Sequence, residues 1–416
     1  MAHIRKANGL VDWLDQRLAV HKLLDVLMVK YWIPKQINFL WAMGVILTTL
    51  FTVLFITGLL LVMYYKPDTT LAFDSVNKTI MQEVEYGWLW RHMHGVAASV
   101  IFLIIYIHML TGIYYGSYKR GREMIWVSGM LLFVVFSAEA FSGYMLPWGQ
   151  MSYWAAQVIT NLFGGIPLIG PELVIWIRGD YAVSDPTLTR FFMLHVCLLP
   201  IVIIVIIAFH FYSLRIPHVN NEIAEELDFD LEAEKYMAGD TKGSKVIPFW
   251  PGFLSKDFMY ICLFMIFFFY LVSFKFGFAM DPINFDPANA LKTPAHIYPE
   301  WYFLWSYEVL RGFFFDIAGI KAFDIGLAAF GIAQIIFFLL PWLDRSNVVK
   351  PAHERPLFFI WFWVLLMDLI VLTIYGKLPP TGVNAWVGFY ASIIFLLLFI
   401  VVLPVITIME RKGAKQ

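Results

Sequence analysis

RHMHGVAASVIFLIIYIHML (residues 91–110) and LHVCLLPIVIIVIIAFHFY (residues 194–212) decide the reading of this chain. Each lies in an apolar run long enough to cross a bilayer, which takes roughly 20 residues, and each carries two histidines. His94 and His108 are fourteen residues apart, and His195 and His210 fifteen. At about 1.5 Å per residue, the first pair is separated by about 21 Å along a helix axis and by about 40° around it. One helix therefore offers two imidazoles, at two depths, on nearly one face. A histidine in hydrocarbon is costly enough to count as a functional signal, and two helices each carrying such a pair can clamp two iron centres between them. His92 falls about 160° from His108 and is the weaker ligand candidate. Any one of these histidines could equally be a hydrogen-bonded core residue; two matched pairs are much harder to read that way.

Working outward, 60% of the 416 residues are hydrophobic and only 15% are charged, which excludes a soluble globular protein. Eight stretches qualify as membrane spans, at about 38–64, 94–115, 124–147, 191–214, 258–278, 323–343, 357–375 and 386–408. The fold class expected is an all-α integral membrane protein with eight transmembrane helices, the first four forming the histidine-bearing bundle. An interfacial helix is expected within 1–35, around Leu10 to Val29. The bundle covers 36–220, with short surface helices at 152–177 where Gly164, Gly165, Pro167, Gly170 and Pro171 interrupt an apolar run. A cytoplasmic connection occupies 221–257 and a second four-helix region 258–416.

Placing both termini in the cytoplasm puts 20 of the 30 Lys and Arg residues on that side, the arrangement the positive-inside rule favours. An even number of crossings separates His94 from His195, so these two meet near the outer face, and His108 meets His210 near the inner face. The two cysteines, Cys197 and Cys262, are far apart in apolar runs and indicate neither a disulfide framework nor covalent cofactor attachment. The net charge of -1 and the absence of a basic, aromatic-studded stripe give no sign of nucleic acid.

Gly44 and Gly58 in the first span, and Gly129 and Gly143 in the third, repeat the fourteen-residue interval. A flat macrocycle between helices needs close backbone approach, and glycine lacks the Cβ that blocks it. Glycine is also an ordinary packing residue in membrane helices, so this signal gains its weight from the shared spacing.

On these residues, and on YGWLWRHMHG (86–95), GYMLPWGQMSYWAAQVITNLFGGIPLIG (143–170), TLTRFFMLH (187–195) and TPAHIYPEWYF (293–303), the chain resembles the cytochrome b family of cytochrome bc complexes nearly end to end. That resemblance implies a quinol:cytochrome c oxidoreductase subunit of a bacterial inner membrane, with two non-covalent b-type haems. His94 and His195, with Arg91, Gly58 and Gly143, would hold the low-potential haem. His108 and His210, with Gly44, Gly129, Ser117, Trp126 and Trp41, would hold the high-potential haem. Arg190 would also lie near a haem edge. An outer quinol pocket would be built from Pro299, Glu300, Trp301, Tyr302, Tyr144, Gly149, Met151, Ala155 and Ile159, with Glu300, Tyr302 and Tyr144 closest to the chemistry. An inner quinone site would use Arg215, His218, Lys256 and Asp257. The implied partners are a Rieske iron-sulfur protein, a cytochrome c-type subunit and a second copy of the complex. A di-haem membrane anchor of a dehydrogenase or hydrogenase is the alternative; it accounts for the histidines but not for Pro299 to Tyr302.

Several positions depart from the family pattern. The fifteen-residue interval turns His210 by about 100° relative to a fourteen-residue one, which predicts a kink or π-bulge near Pro200. Arg215 and Ala42 stand where the mitochondrial pattern has histidine and asparagine. Ala155 replaces a glycine and is expected to project its methyl toward the outer pocket. Glu139 sits one turn before Gly143 in an otherwise uncharged run; it is protonated, paired with an arginine, or part of a proton path. Asp368 is expected to be satisfied by local hydrogen bonds.

Overall fold

The computed structural model describes residues 9–19, 28, 30–220, 227–275, 277 and 280–413. Among the described residues, seven helices are long and apolar enough to cross a membrane: Phe39–Val62, Gly87–Tyr114, Glu123–Met145, Asp185–Arg215, Phe249–Phe274, Pro356–Lys377 and Val383–Arg411. A shorter apolar helix, Ala322–Phe338, stands sixth in order. The chain is thus a multi-pass all-α membrane protein whose eight apolar helices answer to the eight stretches read from sequence. Large apolar side chains face outward from the spans, among them Leu59, Val205, Ile266 and Met367. A soluble protein would bury such a surface; lipid accepts it.

The first span packs against the second, and the third against the fourth, forming the four-helix bundle. Hydroxyls in the first span are satisfied within their own helix: Thr48, Thr49, Thr52 and Thr57 donate to carbonyls four residues back at 2.7 to 3.0 Å. Between the third and fourth spans lie two short helices, Gln150–Leu162 and Gly170–Arg178. They are held by Arg178, whose buried guanidinium donates to Thr160, Asn161 and the Gln157 and Tyr181 carbonyls.

The expected irregularity in the fourth span is present. Leu194–Leu198 is π-helical and ends just before Pro200, which cannot donate to the Val196 carbonyl four residues earlier. The eighth span repeats the device, with a π-helical segment at Leu398–Val402 ahead of Pro404. Just after the sixth helix, Pro341 cannot donate to the Phe337 carbonyl four residues earlier. The Trp126 indole N–H takes that place at 2.6 Å.

Two features differ from the expectation, a strand pairing and the start of the fifth helix. Trp32–Pro34 and Val246–Pro248 pair as a two-stranded antiparallel sheet, so the connection is anchored to the segment before the first span. It also contains a helix, Phe229–Met237, while residues 221–226 of its acidic stretch lie outside the described residues. The regular α-helix of the fifth span begins at Leu254, which puts Asp257 in its first turn rather than in the connection. Of the expected N-terminal helix, Leu10–Leu18 is described and ends at Ala19 in the left-handed conformation (φ 48°); residues 20–27 and 29 lie outside the described residues.

At the end of the molecule carrying His108, a buried ionic cluster ties the two halves together. Asp344 receives Lys119 at 2.7 Å, Arg355 at 3.2 Å and the Tyr118 hydroxyl at 2.7 Å. Arg355 also reaches Glu410 at 2.8 Å.

Candidate functional site

The second and fourth spans bring their histidines together in the order that chain crossings require. His94 faces His195 with ring centroids 6.1 Å apart, and His108 faces His210 at 6.5 Å. An iron bound to two imidazole nitrogens at roughly 2.0 Å apiece sets the ring centres about 6 Å apart. Both pairs therefore leave room for one iron each, and the residues present fit the group. His92 turns away toward the fifth span, against Trp88 and the Val272 carbonyl.

The Nδ1 nitrogens of His94 and His210, facing away from the gaps, are held by hydroxyls. Thr57 gives its own hydrogen to the Val53 carbonyl at 2.7 Å, so its oxygen accepts from His94 Nδ1 at 2.9 Å. Ser128 donates to Ile125 and accepts from His210 Nδ1 at 2.9 Å. Ser142 donates to the Glu139 carbonyl at 2.8 Å and lies 3.5 Å from His195 Nδ1. With Nδ1 protonated in this way, Nε2 is the free donor nitrogen. These three hydroxyls escaped the sequence reading, yet each directly precedes one of the spaced glycines: Thr57 and Gly58, Ser128 and Gly129, Ser142 and Gly143.

The four glycines are not equivalent. A Cβ on Gly143 would overlap the His195 ring, reaching 2.9 Å from both of its nitrogens. On Gly129 and Gly58 it would come within 3.3 and 3.4 Å of His210 and His94 Cε1. Around Gly44 no protein atom lies within 4 Å of where a Cβ would stand.

Four expected haem-edge residues are engaged elsewhere. Trp126 caps the sixth helix, as described above. Arg190 is exposed and donates to the Trp176 carbonyl, beside Gly179. Trp41 and Ser117 share a polar knot with Asn220: Trp41 Nε1 donates to the Asn220 carbonyl at 2.8 Å, and Asn220 Nδ2 donates to Ser117 at 3.2 Å. Arg91 does line the cavity at the His94 end.

That cavity runs without a break from the histidine pair to the loop after the fifth span. Gly58, Arg91, His94, Gly143 and His195 line one part, and Tyr144, Asn284, Glu300 and Tyr302 the other. Burial, with the nearby Asp281 carboxylate adding to it, pushes Glu300 up to about 7, against a hydrogen bond from Tyr144 and the attraction of Lys377. Tyr302 stacks on Phe102 at 4.0 Å, and its backbone carbonyl accepts from the Tyr106 hydroxyl at 2.5 Å. This fixes the loop to the second span.

Other residues expected in the outer pocket do not line this cavity. Trp301 opens the three-residue 3-10 turn Trp301–Phe303, where successive side chains diverge by about 120°. Its indole donates to Ser99 at 2.8 Å while its ring lines a second, apolar cavity with Trp305 and Tyr106. Gly149 instead permits loop docking: a Cβ there would overlap Asn284, whose Oδ1 accepts from Ser152 N–H at 2.8 Å. Met151 and Ala155 are buried within the same surface helix, and Pro299 and Ile159 also lie outside the cavity lining. The Ala155 methyl therefore does not narrow the pocket as expected.

At the opposite end, Arg215 lies 4.0 Å over the Tyr31 ring and His218 stacks between Tyr31 and Phe229. Tyr31 Oη, His218 Nδ1 and Asp257 Oδ1 are buried without hydrogen-bond partners. Burial pushes Tyr31 up to about 12 and holds His218 below the usual imidazole range. Lys256 is exposed, whereas Asp257 beside it is buried. Tyr31 was missed because nothing local marks it; only the sheet after it brings it to this cluster.

Residues 28–217 match the family profile "Cytochrome b/b6/petB" and residues 287–396 match "Cytochrome b(C-terminal)/b6/petD". The chain belongs to the cytochrome b family. Among curated relatives, the cytochrome b of Rickettsia typhi is 40% identical over 99% of this chain and 97% of its own length. That of Rhodobacter capsulatus is 40% identical over 98% and 94%. A solved chain of a "Hyperthermophilic respiratory Complex III" superposes with a TM-score of 0.87 at 37% identity, covering 97% of this chain and all of that one. As a cytochrome b, the chain is a membrane subunit of a Complex III-type oxidoreductase, and its family carries b-type haem and interacts with quinone.

Proposed function

We propose that this cytochrome b oxidises quinol in the Glu300 cavity and delivers one of the two electrons across the membrane to a quinone bound beside Arg215, His218 and Asp257. The observation that carries the reading is the single cavity joining Glu300 and Tyr144 to the His94 and His195 pair. Two b-type haems, one held by His94 and His195 and one by His108 and His210, supply one-electron transfer at two depths. Arg91 lines the first of these sites, where its charge suits a haem propionate.

The protein residues do the proton chemistry. Oxidation of a quinol releases two protons, and Glu300 has a carboxylate available to accept one because its ionisation is centred near neutral pH. Tyr144 hydrogen-bonds that carboxylate and orients it. Tyr302, locked against Phe102, keeps water from the side of the cavity nearest the second span. At the other end, the unpartnered Tyr31, His218 and Asp257 atoms offer hydrogen bonds to quinone oxygens, while Arg215, always protonated, anchors without giving up a proton.

The first electron passes to a Rieske iron-sulfur partner and onward to a cytochrome c-type subunit, so the chain works inside a dimeric complex of a bacterial inner membrane, with both termini cytoplasmic. The test is a purified complex carrying Glu300→Gln, assayed for quinol oxidation with haem content measured alongside. Two equivalents of haem with oxidation slowed at least tenfold is expected. A wild-type rate would remove Glu300 from the chemistry, and fewer than two haems in the unmutated complex would remove the electron path.

A further inference from the structure

Among the described residues, Glu139 is the one carboxylate in contact with a histidine of either pair. Its Oε1 lies 3.1 Å from His195 Nδ1, whose proton is also shared with the Glu139 backbone carbonyl at 3.0 Å. The side chain is largely sequestered, and Oε2 is buried without a hydrogen-bond partner while the residue lines the cavity. The contact with a histidine was not among the roles expected from sequence. The corresponding nitrogens of His94 and His210 are met by neutral hydroxyls, those of Thr57 and Ser128. A carboxylate in a membrane span is costly to keep, and a glutamine of the same shape would accept the same hydrogen bond without that cost.

We propose that Glu139 is a positioning residue that tunes the metal site: by accepting the Nδ1 proton of His195, it makes that imidazole a stronger donor and lowers the reduction potential of the iron held between His94 and His195 relative to the iron between His108 and His210. An outer partner that withdraws a ligand's proton raises its basicity and favours the more positive metal. The negative charge acts in the same direction, since oxidised iron carries one more positive charge than reduced iron. The consequence is directional. An electron arriving beside Glu300 is held less tightly at the first iron than at the second, so its passage away from the oxidation cavity runs downhill.

This inference rests on the ligand assignment proposed above, and one set of titrations separates the two. The intact complex is purified with Glu139→Gln, its haem content is measured, and both haems are titrated optically against a redox electrode. The expected result is a rise in the potential of the lower-potential haem alone, shifting the electron equilibrium between the two haems about tenfold toward it, or 59 mV for one electron. Unchanged potentials with both haems bound, or an equal displacement of both, would overturn the proposal. Should the glutamine variant lose a haem, Glu139→Asp is titrated instead; it keeps the charge but withdraws the contact, and the same haem must rise by a smaller step, an unmoved potential again counting against the idea. His195→Ala controls the premise: retention of both haems there would refute the ligand assignment itself, whatever Glu139 does.

Discussion

Gly143 stands so close to His195 that a methyl group added to it would overlap the imidazole ring. Haem retention should therefore follow an order that equal spacing in the sequence does not suggest. Gly143→Ala should lose most of one haem, and Gly129→Ala and Gly58→Ala should lose part. The ratio of haem to purified protein across the three variants measures this, and equal losses at Gly58 and Gly143 would contradict it.

The second expectation concerns pH. Burial raises the ionisation of Glu300 to about 7, so its proton-accepting form is scarce below that pH and dominant above it. Quinol oxidation limited by proton acceptance should rise with pH through this range. In Glu300→Gln, which cannot ionise, that limb should vanish. Steady-state rates over pH 5.5 to 8.5 distinguish the two profiles.

A third follows from the ionic cluster at Asp344. Burial pushes this carboxyl up, yet Lys119 and Arg355 hold it below the ordinary carboxylate range. Asp344→Asn would leave two buried cations without their shared partner and should cost on the order of 3–5 kcal/mol. By contrast, separating the exposed Lys350 and Glu354 pair should cost less than about 1 kcal/mol. Thermal unfolding of the detergent-solubilised complex reads both changes.

Trp126 supplies the fourth. Replacing it with Phe keeps the ring but strips the donor from the Phe337 carbonyl, which Pro341 has already deprived of its helical partner. A buried carbonyl left in this state should cost about 1–3 kcal/mol. Haem spectra should stay unchanged, because the indole serves helix packing. A spectral shift of the haem near His210 would instead return Trp126 to the cofactor.

The histidine pairs could be read early because helical period and span length act on every residue of a long apolar run. The glycine series was half readable: spacing exposed it, but which glycine faces an imidazole depends on how two helices rotate against each other. Thr57, Ser128 and Ser142 escaped notice since hydroxyls in membrane helices bond their own backbone anyway. Only the opposing ring reveals their second task. Trp301 misled for a local reason: a 3-10 turn splays neighbours that a shared motif seems to aim together. The strands at Trp32 and Val246 are three residues each, too short to betray a period.

Those two strands have a bearing on chain continuity. One precedes the first span and the other follows residues 221–226, so a nick within that interval would produce two polypeptides already gripping each other by a backbone ladder. Asp344 would clasp Lys119 across the same divide. The halves should co-purify as readily cut as whole, which makes the peptide linkage between them a convenience of expression rather than a fastening of the fold.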